Sequence, residues 1–165
     1  MFDSERIRSG WQREVEAYNA LLSGLDQTTA QQAVRPDGWS SQAIIAHVAA
    51  ASRALIRLAG AGAAPTMTVV ERDAWNDRRR DDDETRPLAE IAAYWQRASN
   101  EVTVALASVS ADAAAQPAAI PWLPEVKTQG DALRVVVLHA RMHRQEIEQG
   151  LKAVVSQQSL PDEHA

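Results

Sequence analysis

An all-α bundle is the fold class this sequence predicts. Four long segments carry apolar residues at alternating spacings of three and four, no useful stretch alternates with period two, and no hairpin dipeptide is flanked by β-branched runs. Each stripe is the signature of one helix face turned to a common core, so four of them predict a four-helix bundle.

The first stripe is Ile7, Trp11, Val15, Tyr18 and Leu22, with charged Glu5, Arg6, Arg13 and Glu16 elsewhere. It predicts a helix over 4–23 that stops at Gly24. A connector follows, compatible with a helical turn in 28–34, and ends in the turn signal Arg35-Pro36-Asp37-Gly38. The second helix starts at the N-cap Ser40 and carries Ile44, His47, Val48, Ala51, Leu55 and Leu58 toward Gly60 and Gly62. Residues 66–80 read as an insertion, with a short helix that packs Val69, Val70 and Trp75 down.

The third stripe is the most regular: Leu88, Ile91, Trp95, Ala98, Val102, Ala105 and Val109. It predicts a helix over 87–110 with Pro87 in its first turn. Pro117, Pro121 and Pro124 then exclude regular helix from 111–128, which reads as a long crossover loop. The last helix, 129–155, aligns Ala132, Val136, His139, His143, Ile147, Leu151 and Val154. The expected organisation is one domain over 1–165, with a core over 4–155 and a frayed tail over 156–165.

Composition narrows the chemistry. With no cysteine among 165 residues, disulfides, thiolate metal sites and cysteine nucleophiles are excluded, and a transition metal must be held by imidazole, carboxylate or water. A formal charge of −5 gives no electrostatic footprint for nucleic acid or an anionic membrane. Arg78, Arg79 and Arg80 abut Asp81, Asp82, Asp83 and Glu84, and are expected to be a solvated, locally neutralised charge run. The charged N-terminus and the lack of a spanning apolar run place the chain in the cytoplasm, with no membrane partner expected. There is no dinucleotide-binding glycine motif, phosphate-binding loop, serine-nucleophile elbow or zincin motif.

The chemistry-bearing feature is histidine placement. His139 and His143 are one turn apart in the last stripe, so both side chains leave the same face and can chelate one ion. His47 lies in the stripe of the second helix, where an apolar residue serves a bundle more simply. An unpartnered buried imidazole costs about 1–3 kcal/mol, so three inward histidines ask for a shared explanation. A divalent metal supplies it, with three protein ligands and an open position. Zinc is the first expectation; nickel, iron(II) and manganese are also acceptable. The alternative for each histidine is a satisfied core residue hydrogen-bonded to a carboxylate or carbonyl. His164 falls in the tail and is set aside.

Glu146 follows His143 by three, where it can act as a base, orient a histidine, or pair with Arg141 or Arg144 at the edge; the edge pair is the reading favoured. Arg53 and Arg57, one turn apart, suit an anionic substrate or plain solvation equally. Of the five tryptophans, most are expected in the core, with one or two walling a pocket.

Gly38-Trp39-Ser40, then His47, and His139-x-x-x-His143-x-x-Glu146-Ile147 near the C-terminus together resemble the DinB/YfiT-like superfamily, related to the N-terminal domain of mycothiol-dependent maleylpyruvate isomerase. The resemblance covers about residues 4–155 and extends to Trp75-Asn76 and Arg86-Pro87-Leu88. It implies an up-down-down-up four-helix bundle, a divalent metal on His47, His139 and His143, and a homodimer. The isomerase branch differs in commonly having glutamate where this chain has His139. The resemblance also implies the expected function. What it implies is a divalent-metal-dependent enzyme expected to activate a low-molecular-weight thiol cosubstrate such as mycothiol, or water, for S-transfer to a small electrophilic substrate or for its isomerisation or hydrolysis. From another class, the alternative is a non-catalytic metal-binding or stress-associated dimer with a structural metal; a third is a metal-free bundle.

Overall fold

The computed structural model describes residues 3–61 and 67–158, and among these it forms seven helices and no strand. They are α1 (Ser4–Gly24), α2 (Gln27–Gln31), α3 (Ser41–Ala61), α4 (Val69–Glu84), α5 (Leu88–Ser108), α6 (Ala111–Ala115) and α7 (Gln129–Gln158). The four long stripes are therefore α1, α3, α5 and α7. Gly62 and His164 lie outside the described residues, as does 159–165 of the expected tail, whereas 156–158 continue α7.

Burial follows the stripes. Ile7, Trp11 and Tyr18 from α1, Ile44, Val48 and Leu55 from α3, Ile91, Trp95, Ala98 and Val102 from α5, and Ala132, Val136 and Ile147 from α7 are all buried. At the centre, the rings of Trp11 and Tyr18 stand 5.9 and 4.5 Å from Trp95. Their polar tips are satisfied inside the bundle: Trp11 donates to Thr103 Oγ1 at 3.1 Å, Trp95 to Asn19 Oδ1 at 3.1 Å, and the Tyr18 hydroxyl to the Ala140 carbonyl at 2.9 Å. This combines large apolar burial with no orphaned donor.

The long helices pack in a ring, α1 against α5 and α7, and α3 against the same two. Contacts give their relative directions. Trp11 meets Thr103 while Asn19 meets Trp95, so α1 and α5 are antiparallel. Gln42 reaches Arg86 and Arg53 reaches Glu101, so α3 and α5 run together. Glu14 is 2% exposed and takes Arg141 and Arg144 of α7 on its two oxygens at 3.1 and 2.7 Å, which ties α1 to α7 along a shared side.

Two expectations need correction. The insertion is a 16-residue helix: α4 starts in a full capping box between Thr68 and Glu71, runs back along α3, and returns the chain to the start of α5. Its Val69 and Val70 are exposed at 46% and 77%, not packed down, because they sit in the first turn on the solvent side. The crossover is therefore α4. The proline-rich segment 111–128 instead joins α5 to α7 through the one-turn α6 and two isolated bridges, burying Ile120 and Val126.

The expectation that no run is apolar enough to span a membrane also changes. Ser41–Gly60 is long and apolar enough by length and composition, and more than half of it is buried inside the bundle. Contacts with α4, α5 and α7 account for that apolarity.

Candidate metal centre

His47 comes from the second turn of α3, whose start is fixed by the Ser40 hydroxyl accepting from the Ala43 amide at 3.2 Å. His139 and His143 come from adjacent turns near the middle of α7. Where α3 and α7 pack, the His139 Nε2 lies 3.2 Å from Nε2 of His47 and 3.2 Å from Nε2 of His143. One nitrogen from each of the three imidazoles falls within 4.8 Å of the others. All three sequence-predicted ligands are thus brought together.

The donor set fits a divalent transition metal. Metal–imidazole bonds of ~2.0–2.1 Å set neighbouring donors about 3.0 Å apart in octahedral and about 3.3 Å apart in tetrahedral geometry. The observed 3.2 Å separations lie between these. Protonation agrees. The Glu146 carboxylate accepts from His143 Nδ1 at 2.7 Å, so the proton belongs on Nδ1 and the lone pair on Nε2 faces the cluster. A carboxylate behind an imidazole is the usual support for a ligating histidine. The His139 Nδ1 is buried and has no partner within the protein.

Burial keeps the rings neutral, which leaves their lone pairs available. It pushes His47 down to about 3, helped by His143 and by the guanidiniums of Arg35, Arg79 and Arg72. Burial also carries His139 well below the ordinary histidine value. His143 is lowered too, again by burial first, opposed by its hydrogen bond to Glu146.

Glu146 differs from the reading favoured above. Arg141 and Arg144 are drawn to Glu14, and Arg144 also to Glu148, leaving Glu146 to His143 and to Arg35 at 3.2 Å. Arg35 was missed because it arrives from a loop. Gly38, at φ +89°, closes the turn by donating to the Arg35 carbonyl at 3.1 Å, and the Val34 amide donates across it to the Trp39 carbonyl at 2.9 Å. That loop approaches α7 where a Cβ on Gly150 would meet the Val34 carbonyl oxygen at 2.2 Å. The signal was the turn motif itself, but nothing in it says which helix it faces.

Arg53 is not at the centre; it bonds Glu101 at 2.6 Å on α5, and Arg57 is exposed. Of the five tryptophans, Trp11, Trp95 and Trp39 are buried and Trp75 and Trp122 partly exposed; Trp39 stands edge-on to His47 at 5.4 Å, with Arg35 and Arg80 at 5.7 and 5.8 Å from its ring. The charge run on α4 is only partly solvated, because Asp83 is 3% exposed and receives Arg79 and Arg86. Gln42 fixes that end of α4 by donating to the carbonyls of Asp83, Glu84 and Arg86.

No curated protein and no solved structure matches the chain. The family model described as DinB superfamily matches residues 11–147, a span that contains His47, His139, His143 and Glu146. With that match over most of its length, and an all-helical bundle that brings the three histidines together, this chain belongs to the DinB superfamily.

Proposed function

We propose that this protein is a divalent-metal-dependent enzyme, with zinc the first expectation, that activates a low-molecular-weight thiol, or else water, for reaction with a small electrophile. The carrying observation is the convergence of three imidazole nitrogens with no fourth protein donor in the group among the described residues. Three protein ligands and an open position are the pattern of catalytic sites, whereas structural sites are closed by four. A divalent ion held there lowers the pKa of a bound thiol or water, so that a nucleophile exists near neutral pH.

The chain's own groups do the positioning. Glu146 holds the His143 proton at Nδ1 and is itself held by Arg35, which suits it to orientation rather than to abstracting a proton from substrate. Trp39 limits rotation of the His47 ring. The chain has no cysteine, so a sulfur nucleophile has to arrive as a cosubstrate.

The test is elemental analysis of tag-free protein beside the combined His47→Ala, His139→Ala, His143→Ala variant. Close to one divalent ion per chain, lost in the variant, is expected; equal substoichiometric metal in both overturns the reading. Loaded protein is then offered a thiol panel with a generic electrophile. Metal that raises thermal stability without any turnover supports the non-catalytic alternative.

A further inference from the structure

The turn over 33–40 touches both helices that carry the histidines. Its own chain runs into α3, and Trp39, buried at the edge of the core, stands edge-on to His47 with ring centres 5.4 Å apart. Across from it lies α7. There the backbone of Val34 occupies the space that a side chain on Gly150 would need, and Arg35 reaches Glu146, 111 residues further along the chain. The turn is itself closed, by the bridge between Ala33 and Ser40, by the Val34 amide on the Trp39 carbonyl and by the Gly38 amide on the Arg35 carbonyl.

Arg35 is held before it reaches Glu146. Its Nε and Nη2 donate to the two carboxylate oxygens of Asp37 at 3.1 and 2.7 Å, a planar fork that fixes the direction of Nη1. Nη1 donates at 3.2 Å to Oε2 of Glu146, the same oxygen that accepts from His143 Nδ1 at 2.7 Å. The ion pair itself adds little to stability, because the two side chains are 30% and 32% exposed. What it supplies is direction. A partly exposed glutamate three residues after a histidine has other rotamers open to it in solvent, whereas one pinned from outside keeps the His143 proton on Nδ1 and the Nε2 lone pair toward the other two rings.

We propose that Arg35, braced by Asp37, is a positioning residue of the metal centre: it acts through Glu146 to fix the tautomer and orientation of His143, and so joins the α3 side of the site to the α7 side. This rests on the metal-centre reading and extends it to a side chain outside the ligand helices.

The test measures zinc affinity of tag-free, full-length protein in competition with a chelator, and the ring tautomers of the metal-free protein by NMR on isotopically labelled histidine. Arg35→Gln is expected to weaken zinc binding about tenfold, the low end of what losing an outer partner of a ligand costs, while the unfolding midpoint stays close to the parent's. In the same variant the Nδ1–H form of His143 gives way to a mixture. Arg35→Lys recovers part of the loss, since an ammonium can meet Glu146 but cannot grip Asp37 in the same fork. Where Glu146→Gln is already present, Arg35→Gln costs nothing further, because the two act along one path. Arg57→Gln, on the exposed surface of α3, keeps the parent's values. Losses that multiply in the double variant would mark a general packing effect of the turn and overturn the proposal, as would an Arg35→Gln protein with the parent's affinity and His143 tautomer. A parent protein that takes up no zinc overturns the metal centre, and the tautomer then decides the role of Arg35 by itself.

Discussion

Two sets of three aromatic residues are put to opposite uses. Trp11, Tyr18 and Trp95 lie between α1 and α5, almost fully buried, with every polar tip answered inside the protein. Trp39, buried at the edge of the core, and the partly open Trp75 and Trp122 each have a guanidinium within 6 Å of the ring. The first cluster stabilises the fold by area; the second holds charges in place, an interaction worth about 0.5–1 kcal/mol where exposed. Residue type therefore does not assign a tryptophan to core or site. Its neighbours do.

That contrast can be broken by mutation. Trp95→Ala should have the largest effect, a loss of about 3–5 kcal/mol in denaturant unfolding, because a cavity opens in a sealed core. A loss below about 2 kcal/mol would mean that the core relaxes around the gap. Gly150→Ala should cost about 1–3 kcal/mol, since the added methyl meets the Val34 backbone and must displace the turn carrying Arg35. Unchanged stability would show that the turn moves freely. Glu146→Gln is expected to weaken metal affinity about 10–100-fold in competition with a chelator while barely moving the unfolding midpoint. Equal affinity would remove Glu146 from the support of His143. Trp75→Ala should be the mildest, about 0.5–1 kcal/mol, and a loss as large as that of Trp95→Ala would erase the distinction between the two clusters.

The same division explains what the sequence made legible. Apolar stripes announced α1, α3, α5 and α7, and three histidines standing in those stripes announced the cluster, because a polar residue at a core position is conspicuous. By contrast α4 lacks an apolar stripe, so its helix was taken for an insertion, although Thr68 and Glu71 already spelled a capping box. Stripe patterns carry no direction, which is why the prolines of 111–128 drew the crossover away from α4. The partner of Glu146 was hidden for another reason: Arg35 is more than a hundred residues away in sequence, and only the packing of its turn on α7 joins them.

The clamp on Glu14 has one more consequence. Arg141 and Arg144 interleave with His139 and His143 along α7, and Tyr18 holds the Ala140 carbonyl between them. The helix is thus gripped from α1 on the side away from the histidines, which fixes its azimuth. A quarter-turn of α7, enough to swing either imidazole off the centre, would first have to tear a carboxylate that is 2% exposed from two guanidiniums. A metal entering the centre would meet donors already aimed, so the entropy of arranging them is settled when the bundle folds, and an exchange of donor type at either position would leave the aim intact.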